Sequence, residues 1–454
     1  MSFRPTPKTK KIIELLLEAG AADCLFVGGC VRDHFLGNKT DDYDIEVYGL
    51  DYDQIVAALA PGFKVNLVGQ SFGTVKVGRN VDVSIPRRES KWGVGHTGFT
   101  VETDPALTPE EAFGRRDFTV NAIGMRLDGS LVDPYNGRED IERKILRATT
   151  EHFCEDPLRV LRGMQFISRF GFTTDSRTLQ LSRKVLPEFD TLSAERVWGE
   201  WVKWAVKGKY PAKGLRFLEA TDWLLRFTEL NALRGCPQNP LWHPEGDVFA
   251  HTLLVCNEAA KIAEQEELND EDRTVLMFAA LTHDFGKPST TYCNAQGQWR
   301  SPRHAEVGGE FAETFLQRMK PPTRILERII PLVKEHGGVY RKEATEKAVR
   351  RLSVRLEPAN IRLWGAMCRA DGRGNGNPDD REDAVVSWLD LAEELGVLES
   401  SPKPVLQGRD LIELGMEPGK DMGPILKEAY ELQLDGEITD SESAVAWAKK
   451  HIET

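Results

Sequence analysis

Long hydrophobic runs, paired cysteines and surplus positive charge are all missing from this 454-residue chain. No stretch of about 18 apolar residues occurs, the least that spans a bilayer as a helix. The start, MSFRPTPKTKKIIELLLEAG, is a short polar leader before an amphipathic helix, without a small-residue cleavage site, so a cytoplasmic protein with no membrane partner is expected. The seven cysteines (Cys24, Cys30, Cys154, Cys236, Cys256, Cys293, Cys368) are scattered and odd in number, with no CxxC pair, which excludes a disulfide framework and a zinc ribbon. A formal charge of −12 excludes a chain that coats nucleic acid without selection, because phosphate neutralisation needs an excess of Lys and Arg. It leaves room for a local basic groove.

What is present is enough apolar material for several cores: 41 % of residues are apolar and 29 % charged, over a length that calls for two to four domains. Residues 12–19 read as a helix, and CLFVGG (24–29) as a buried strand ending in a glycine pair, with a helix beginning near Val31. TDDYDIEVYGL (40–50) and GTVKVGRNVDVSI (73–85) alternate apolar and polar residues as strands do. From Asp140 onward the apolar period becomes helical. Turn formers crowd at 234–247 and 371–380, where boundaries are expected.

Chemistry is concentrated first in GGCVRDHFLGNKTDDYD. Gly28 and Gly29 let backbone approach a triphosphate at a helix start, where Arg32 adds positive charge. Asp42 and Asp44, two apart on a strand, point the same way, and two converging carboxylates need a cation such as Mg²⁺. Asp82 is a weaker third carboxylate and Glu46 weaker still. RRDFTVNAIGM (115–125) adds guanidinium forks for phosphate and short polar groups for ribose hydroxyls in Arg116, Asp117 and Asn121. PRRESKWGVGHTGF (86–99) reads as a flexible loop. In EDPLRVLRGMQFISRFGF (155–172), Asp156, Arg159 and Arg162 fall on one helical face, as for an intrahelical salt bridge or a surface that meets the hydrogen-bonding edge of a base. Trp198, Trp201 and Trp204 form a stripe that reads as core. Lys203, Lys207, Lys209 and Lys213 read as a wet face, or as a track for phosphates.

A second set follows in His251, the adjacent His283 and Asp284, His304, His336 and Asp371. Mixed imidazole and carboxylate ligands suit one or two divalent ions of Mg, Mn, Ni or Fe, which lower the pKa of a water for attack on a phosphoester. Lys287 is a further candidate to hold a phosphate.

The glycine pair followed by DxD resembles the polymerase-beta-like nucleotidyltransferases, and with RRDF and EDxxRxLR in the same order the chain resembles the bacterial class II tRNA nucleotidyltransferases. LTHDFGKP (281–288) resembles the signature of HD-type phosphohydrolases. The resemblance implies an α+β chain: a small mixed α/β head (1–139), a helical neck and body (140–235), an HD domain (236–375) and a helical tail (376–454). It implies addition of C, C and A to tRNA from CTP and ATP. Asp42 and Asp44 would hold the catalytic Mg²⁺. Gly29, Arg32, Arg116, Asp117, Asn121 and Arg162 would hold sugar and phosphates, and Asp156 and Arg159 would choose the base. The loop at 86–99 favours complete addition, since relatives restricted to CC tend to lack it. The HD ligands imply a phosphatase or 2′,3′-cyclic phosphodiesterase. Competing readings are a CC- or A-adding relative, a bacterial poly(A) polymerase, and a protein that is chiefly an HD phosphohydrolase acting on RNA ends.

Overall fold

The computed structural model describes residue 3 and residues 5–67, 73–91, 99–338, 343–375 and 379–452. The chain forms two compact units, residues 1–226 and 227–454. No helix among the described residues is long and apolar enough to cross a membrane.

In the first unit, helix Pro7–Glu18 starts at Thr6, whose hydroxyl caps the Thr9 amide, and buries Ile12, Ile13 and Leu16. Nine strands follow: β1 Asp23–Val27, β2 Tyr43–Tyr48, β3 Val65–Asn66, β4 Thr74–Val77, β5 Val81–Ser84, β6 Arg87–Lys91, β7 Phe99–Thr103, β8 Gly124–Met125 and β9 Leu131–Val132. Seven make one sheet in the order β3-β4-β5-β2-β1-β8-β9, with β2 and β5 parallel and the other neighbours antiparallel. Strand alternation divides β2: Ile45 and Val47 are fully buried, while Asp44, Glu46 and Tyr48 lie on the other side.

Two readings are corrected here. The segment expected to be a loop at 86–99 begins as β6, which pairs antiparallel with β7 and forms a separate two-stranded sheet. β6, with the sequence RRESK, holds no apolar residue, so apolar periodicity gives no sign of it; residues 92–98 lie outside the described ones. The glycine pair is also tighter than expected. The helix starts at Gly29 rather than near Val31, directly after Gly28 at φ +67°, a conformation L side chains rarely adopt.

The rest of the first unit is mostly helical. The helices Leu158–Phe170, Ala194–Lys207 and Pro211–Ala220 pack around Trp201 and Trp204, both fully buried, while Trp198 is half-buried. Ile145–Leu146 and Thr173–Thr174 add a short parallel pair that the helical period had hidden.

The second unit is helical apart from a hairpin, Tyr292–Cys293 against Trp299–Arg300. Helices Val248–Gln265, Asp270–Thr282, His304–Arg318, Thr323–Glu335 and Ile361–Gly374 form its core. Gly374 is what lets the last of these close on the first, since a Cβ there would lie 2.6 Å from the Val255 side chain. Toward its end Leu406, Leu411, Met422, Ala429, Ile438, Ala444 and Ala448 make a small core of their own.

Candidate functional site

A groove of about 520 Å³ in the first unit is lined by Gly28, Gly29, Arg32, Asp44, Arg116, Asp117, Asn121, Asp156, Arg159 and Arg162. Asp42, expected to share a metal with Asp44, is not on its wall. It precedes β2 instead of lying on it, exposed, with its amide and carbonyl both bonded to the Thr40 hydroxyl. Asp44 is solvent-accessible in the groove, and a second cavity of about 370 Å³, lined also by Glu46, Asp82 and Arg116, opens on its other side. Surrounding protein mass raises the Asp44 carboxyl pKa, opposed by Arg116, with Asp42 and Asp82 raising it further. Asp82 is the register partner of Asp44 on β5, but Lys76 neutralises it at 2.7 Å. The accessible Asp44 with Asp42 beside it offers the one or two carboxylate oxygens that Mg²⁺ takes alongside phosphates.

The polar residues of the groove hold each other. Glu46 accepts from Arg116 at 2.8 Å and from the Tyr48 hydroxyl at 2.5 Å, so it fixes a guanidinium and is not a spare carboxylate. Arg116 also lies over the Phe113 ring, and a Cβ on Gly28 would come within 3.2 Å of its Nη1. Asp117 accepts from Asn121 Nδ2 at 2.9 Å and from Arg162 Nη2 at 2.7 Å, and Asn121 Oδ1 in turn accepts from Arg32 at 2.6 Å. Burial alone pushes the Asp117 carboxyl up, yet Arg162, Asn121 and Arg159 outweigh it and hold it at about 2.

The intrahelical bridge that spacing suggests for residues 156–162 does not form. Asp156 sits before the helix, where Oδ1 caps the Leu158 amide at 3.0 Å and Oδ2 accepts from Arg196 at 2.6 Å. Arg159 donates to the carbonyls of His152 (2.6 Å) and Arg115 (2.8 Å). Neither Arg196 nor Arg169 was singled out from the sequence; both line the groove, with Lys203 and Lys207. The buried Nη1 of Arg196 has no hydrogen-bond partner. Arg32 and Arg169 share Asp33, and both stack on the Phe170 ring. Lys209 and Lys213 are exposed and off this wall.

In the second unit all six expected ligands converge. His251 Nε2 is 3.0 Å from Asp371 Oδ1 and 3.3 Å from His283 Nε2, which is 3.1 Å from Asp284 Oδ2. Asp284 Oδ1 faces His304 and His336 at 3.6 and 3.9 Å, and those two rings meet at 3.3 Å. Asp284 thus turns one oxygen toward each of two ligand groups: His251, His283 and Asp371, and His304 with His336.

Tautomers decide what this arrangement wants. The Nδ1 atoms of His283, His304 and His336 contact the carbonyls of Ala280, Ser301 and Val333, and that of His251 contacts Glu245 at 2.9 Å. Carbonyls only accept, so the Nδ1 atoms of His283, His304 and His336 carry the proton and their Nε2 lone pairs point inward. Burial first, then His283 and His304, push His336 down to about 3, which keeps that ring neutral. His304 is lowered by burial as well. Burial would lower His251 too, but Asp371 and Glu245 outweigh it and raise it to about 8. Neither oxygen of buried Asp284 has a hydrogen-bond partner, although Lys287 forms an ion pair with Oδ2 at 2.7 Å. Inward lone pairs beside the underbonded Asp284 carboxylate fit one or two divalent cations. Glu245, which holds His251, was missed in the sequence; an acidic residue in a Pro/Gly-rich turn carries no periodic signal.

Comparison with known proteins follows the same division. Residues 24–147 match the poly A polymerase head domain and residues 248–393 the HD domain. A multifunctional CCA protein of Hahella chejuensis is 34 % identical over 402 residues, covering 86 % of this chain and 89 % of that protein. One from Xanthomonas oryzae is 37 % identical over 362 residues, covering 77 % and 84 %. The crystal structure of the Bacillus stearothermophilus CCA-adding enzyme in complex with CTP shares the fold, with a TM-score of 0.64 at 22 % identity over 99 % of this chain and 98 % of that one.

Proposed function

The chain belongs to the bacterial class II tRNA nucleotidyltransferases, the CCA-adding enzymes, and from that premise we propose that it adds C, C and A in turn to the 3′ end of tRNA. CTP and ATP are the donors and pyrophosphate leaves. The observation that carries the reading is Asp44, which stands between two cavities, one walled by guanidinium and base-facing polar groups and the other by the carboxylate face of the sheet.

Mg²⁺ held by Asp42 and Asp44 would neutralise phosphate charge and polarise the attacking hydroxyl. The remaining work falls to side chains. Arg32, Arg169 and Lys207 line the groove as a cationic wall for the triphosphate, which the Gly28–Gly29 turn lets approach the backbone. Asn121, clamped between Asp117 and Arg32, meets the ribose. Each oxygen of Asp156 already accepts one bond and keeps a second lone pair for an exocyclic amine. Cytosine and adenine both carry that amine, whereas guanine and uracil present a carbonyl there, which a carboxylate repels. Arg159, anchored on two carbonyls, sets the plane beside it. The hairpin of β6 and β7 carries the segment that favours the step from C to A.

The second unit we read as a phosphatase or 2′,3′-cyclic phosphodiesterase for RNA ends, supported by the ligand cluster and the HD-domain match. A divalent ion there would lower the pKa of a water and polarise a phosphoryl oxygen. Lys287 lies on the cavity beside the cluster, within reach of a phosphate.

Crossed substitutions test both halves. Asp44→Ala should cut nucleotide incorporation by ~10³-fold and leave phosphoester hydrolysis intact, and Asp284→Ala should do the reverse. Loss of both activities in either folded variant would contradict two separate centres.

A further inference from the structure

We propose that Phe166 and Phe170 are positioning residues for nucleotidyl transfer, whose ring faces gather arginines into a triphosphate-binding wall without cancelling their charge. The inference rests on the reading of the groove as the nucleotide site. Both rings belong to the helix Leu158–Phe170, where residues 162, 166 and 170 recur at i, i+4 and i+8 and so share one face. By apolar period alone the two phenylalanines belong in a core. Their faces are covered by cations instead. The Arg32 guanidinium, from the helix Gly29–Phe35, lies 5.2 Å from the Phe166 ring centroid and 5.0 Å from that of Phe170. Arg169 lies 4.6 Å from the Phe170 centroid, and Arg162 5.5 Å from that of Phe166. All fall inside the roughly 6 Å within which a ring quadrupole attracts a cation.

What the rings contribute follows from a shortage of carboxylates. Among the described residues, Asp33 is the only carboxylate in ion-pair contact with Arg32 or Arg169, at 2.9 and 3.4 Å. Lys207 shares the groove wall with them. Desolvation first, then Arg169 and Lys203, push its ammonium below the ordinary lysine value, the mark of cations crowded beyond what Asp33 offsets. A second carboxylate would hold the arginines but would also repel the phosphates. A π face attracts a guanidinium and carries no net charge, so the wall keeps its field for the ligand. The platform is itself fixed. Phe166 stacks on Phe170 with centroids 6.0 Å apart and planes at 18°, and it meets the fully buried Phe118 edge-on at 5.8 Å. Phe170 in turn packs on Phe172 at 5.5 Å.

The test measures equilibrium binding of CTP and of CMP to the full chain in Mg²⁺ without tRNA, where the ratio of the two affinities reads the grip on the β- and γ-phosphates. Phe170→Leu keeps an apolar side chain and loses the π face. It should lower the ratio roughly 5- to 30-fold, the equivalent of one or two such contacts, with CMP binding within about twofold of wild type. Phe170→Tyr should keep the wild-type ratio. Pentafluorophenylalanine in place of Phe170 retains the shape of the ring and reverses the charge of its face, so it should act as leucine does. Phe166→Leu, with Phe170 in place, should lower the ratio too. On tRNA lacking CCA, Phe170→Leu should raise KM for CTP and for ATP by a similar factor, with a smaller change in kcat. A ratio unchanged in both leucine variants, or a loss shared equally by CTP and CMP, would overturn the platform. Arg169→Gln separates that failure from failure of the underlying reading. A ratio lowered by Arg169→Gln and not by Phe170→Leu sinks the platform alone, whereas a ratio that neither moves sinks the triphosphate wall with it.

Discussion

Asp117 is a buried carboxylate kept ionised by its neighbours, and its environment makes a pH-dependent statement about stability. Its carboxyl lies near 2 in the folded chain against about 3.9 when unfolded. A depressed carboxylate stabilises the fold above its unfolded pKa, and that contribution disappears as pH falls through the folded value. Urea denaturation should therefore find wild type more stable than Asp117→Asn by about 2 kcal/mol from pH 7 down to pH 5, the gap closing between about pH 4 and pH 2. A gap independent of pH would mean that packing, not charge, carries the effect. Residues of this kind mark the limit of what sequence reveals. Asp44, His283 and Asp284 declare themselves by spacing, because metal ligands must recur in fixed order. Glu46 does not, since its hold on Arg116 spans 70 residues and two elements. Arg196 likewise meets Asp156 only after two helices pack, a pairing with no local period.

At the scale of elements, close backbone approaches set both centres. Gly286, in the turn after His283 and Asp284, would place a Cβ 2.1 Å from the His304 carbonyl and 2.6 Å from the Gly308 amide. The helix His304–Arg318 sits against that turn because the glycine is there, and His304 reaches Asp284 as a result. Gly286→Ala should push the helix away, lowering stability by roughly 1–3 kcal/mol and weakening retention of divalent metal by the second unit. Metal titration and thermal melting check both, and unaltered metal binding would show that the helix does not depend on the glycine. The amphipathic helices and the strands β1, β2, β4 and β5 were legible from their periods, whereas β3, β8 and β9, two residues each, are too short to show one. The pairing of β6 with β7 was not, because β6 holds no apolar residue and so shows no alternation of its own.

The whole molecule combines an acidic chain, at −12, with a groove whose wall is cationic, so its positive charge is concentrated at one place. Each unit builds its candidate site from its own residues, the groove around Asp44 in the first and the histidine–aspartate cluster in the second. The direct measurement of the first is the 3′-end sequence after incubation with CTP, ATP and Mg²⁺ of three RNAs: a tRNA lacking CCA, a tRNA ending in CC, and an unrelated RNA. Selection by Asp156 and Arg159 predicts that the first gains CCA and stops, the second gains one A, and the third gains nothing. Absence of CTP incorporation into the first, arrest after CC, or long A tails on the third would contradict it.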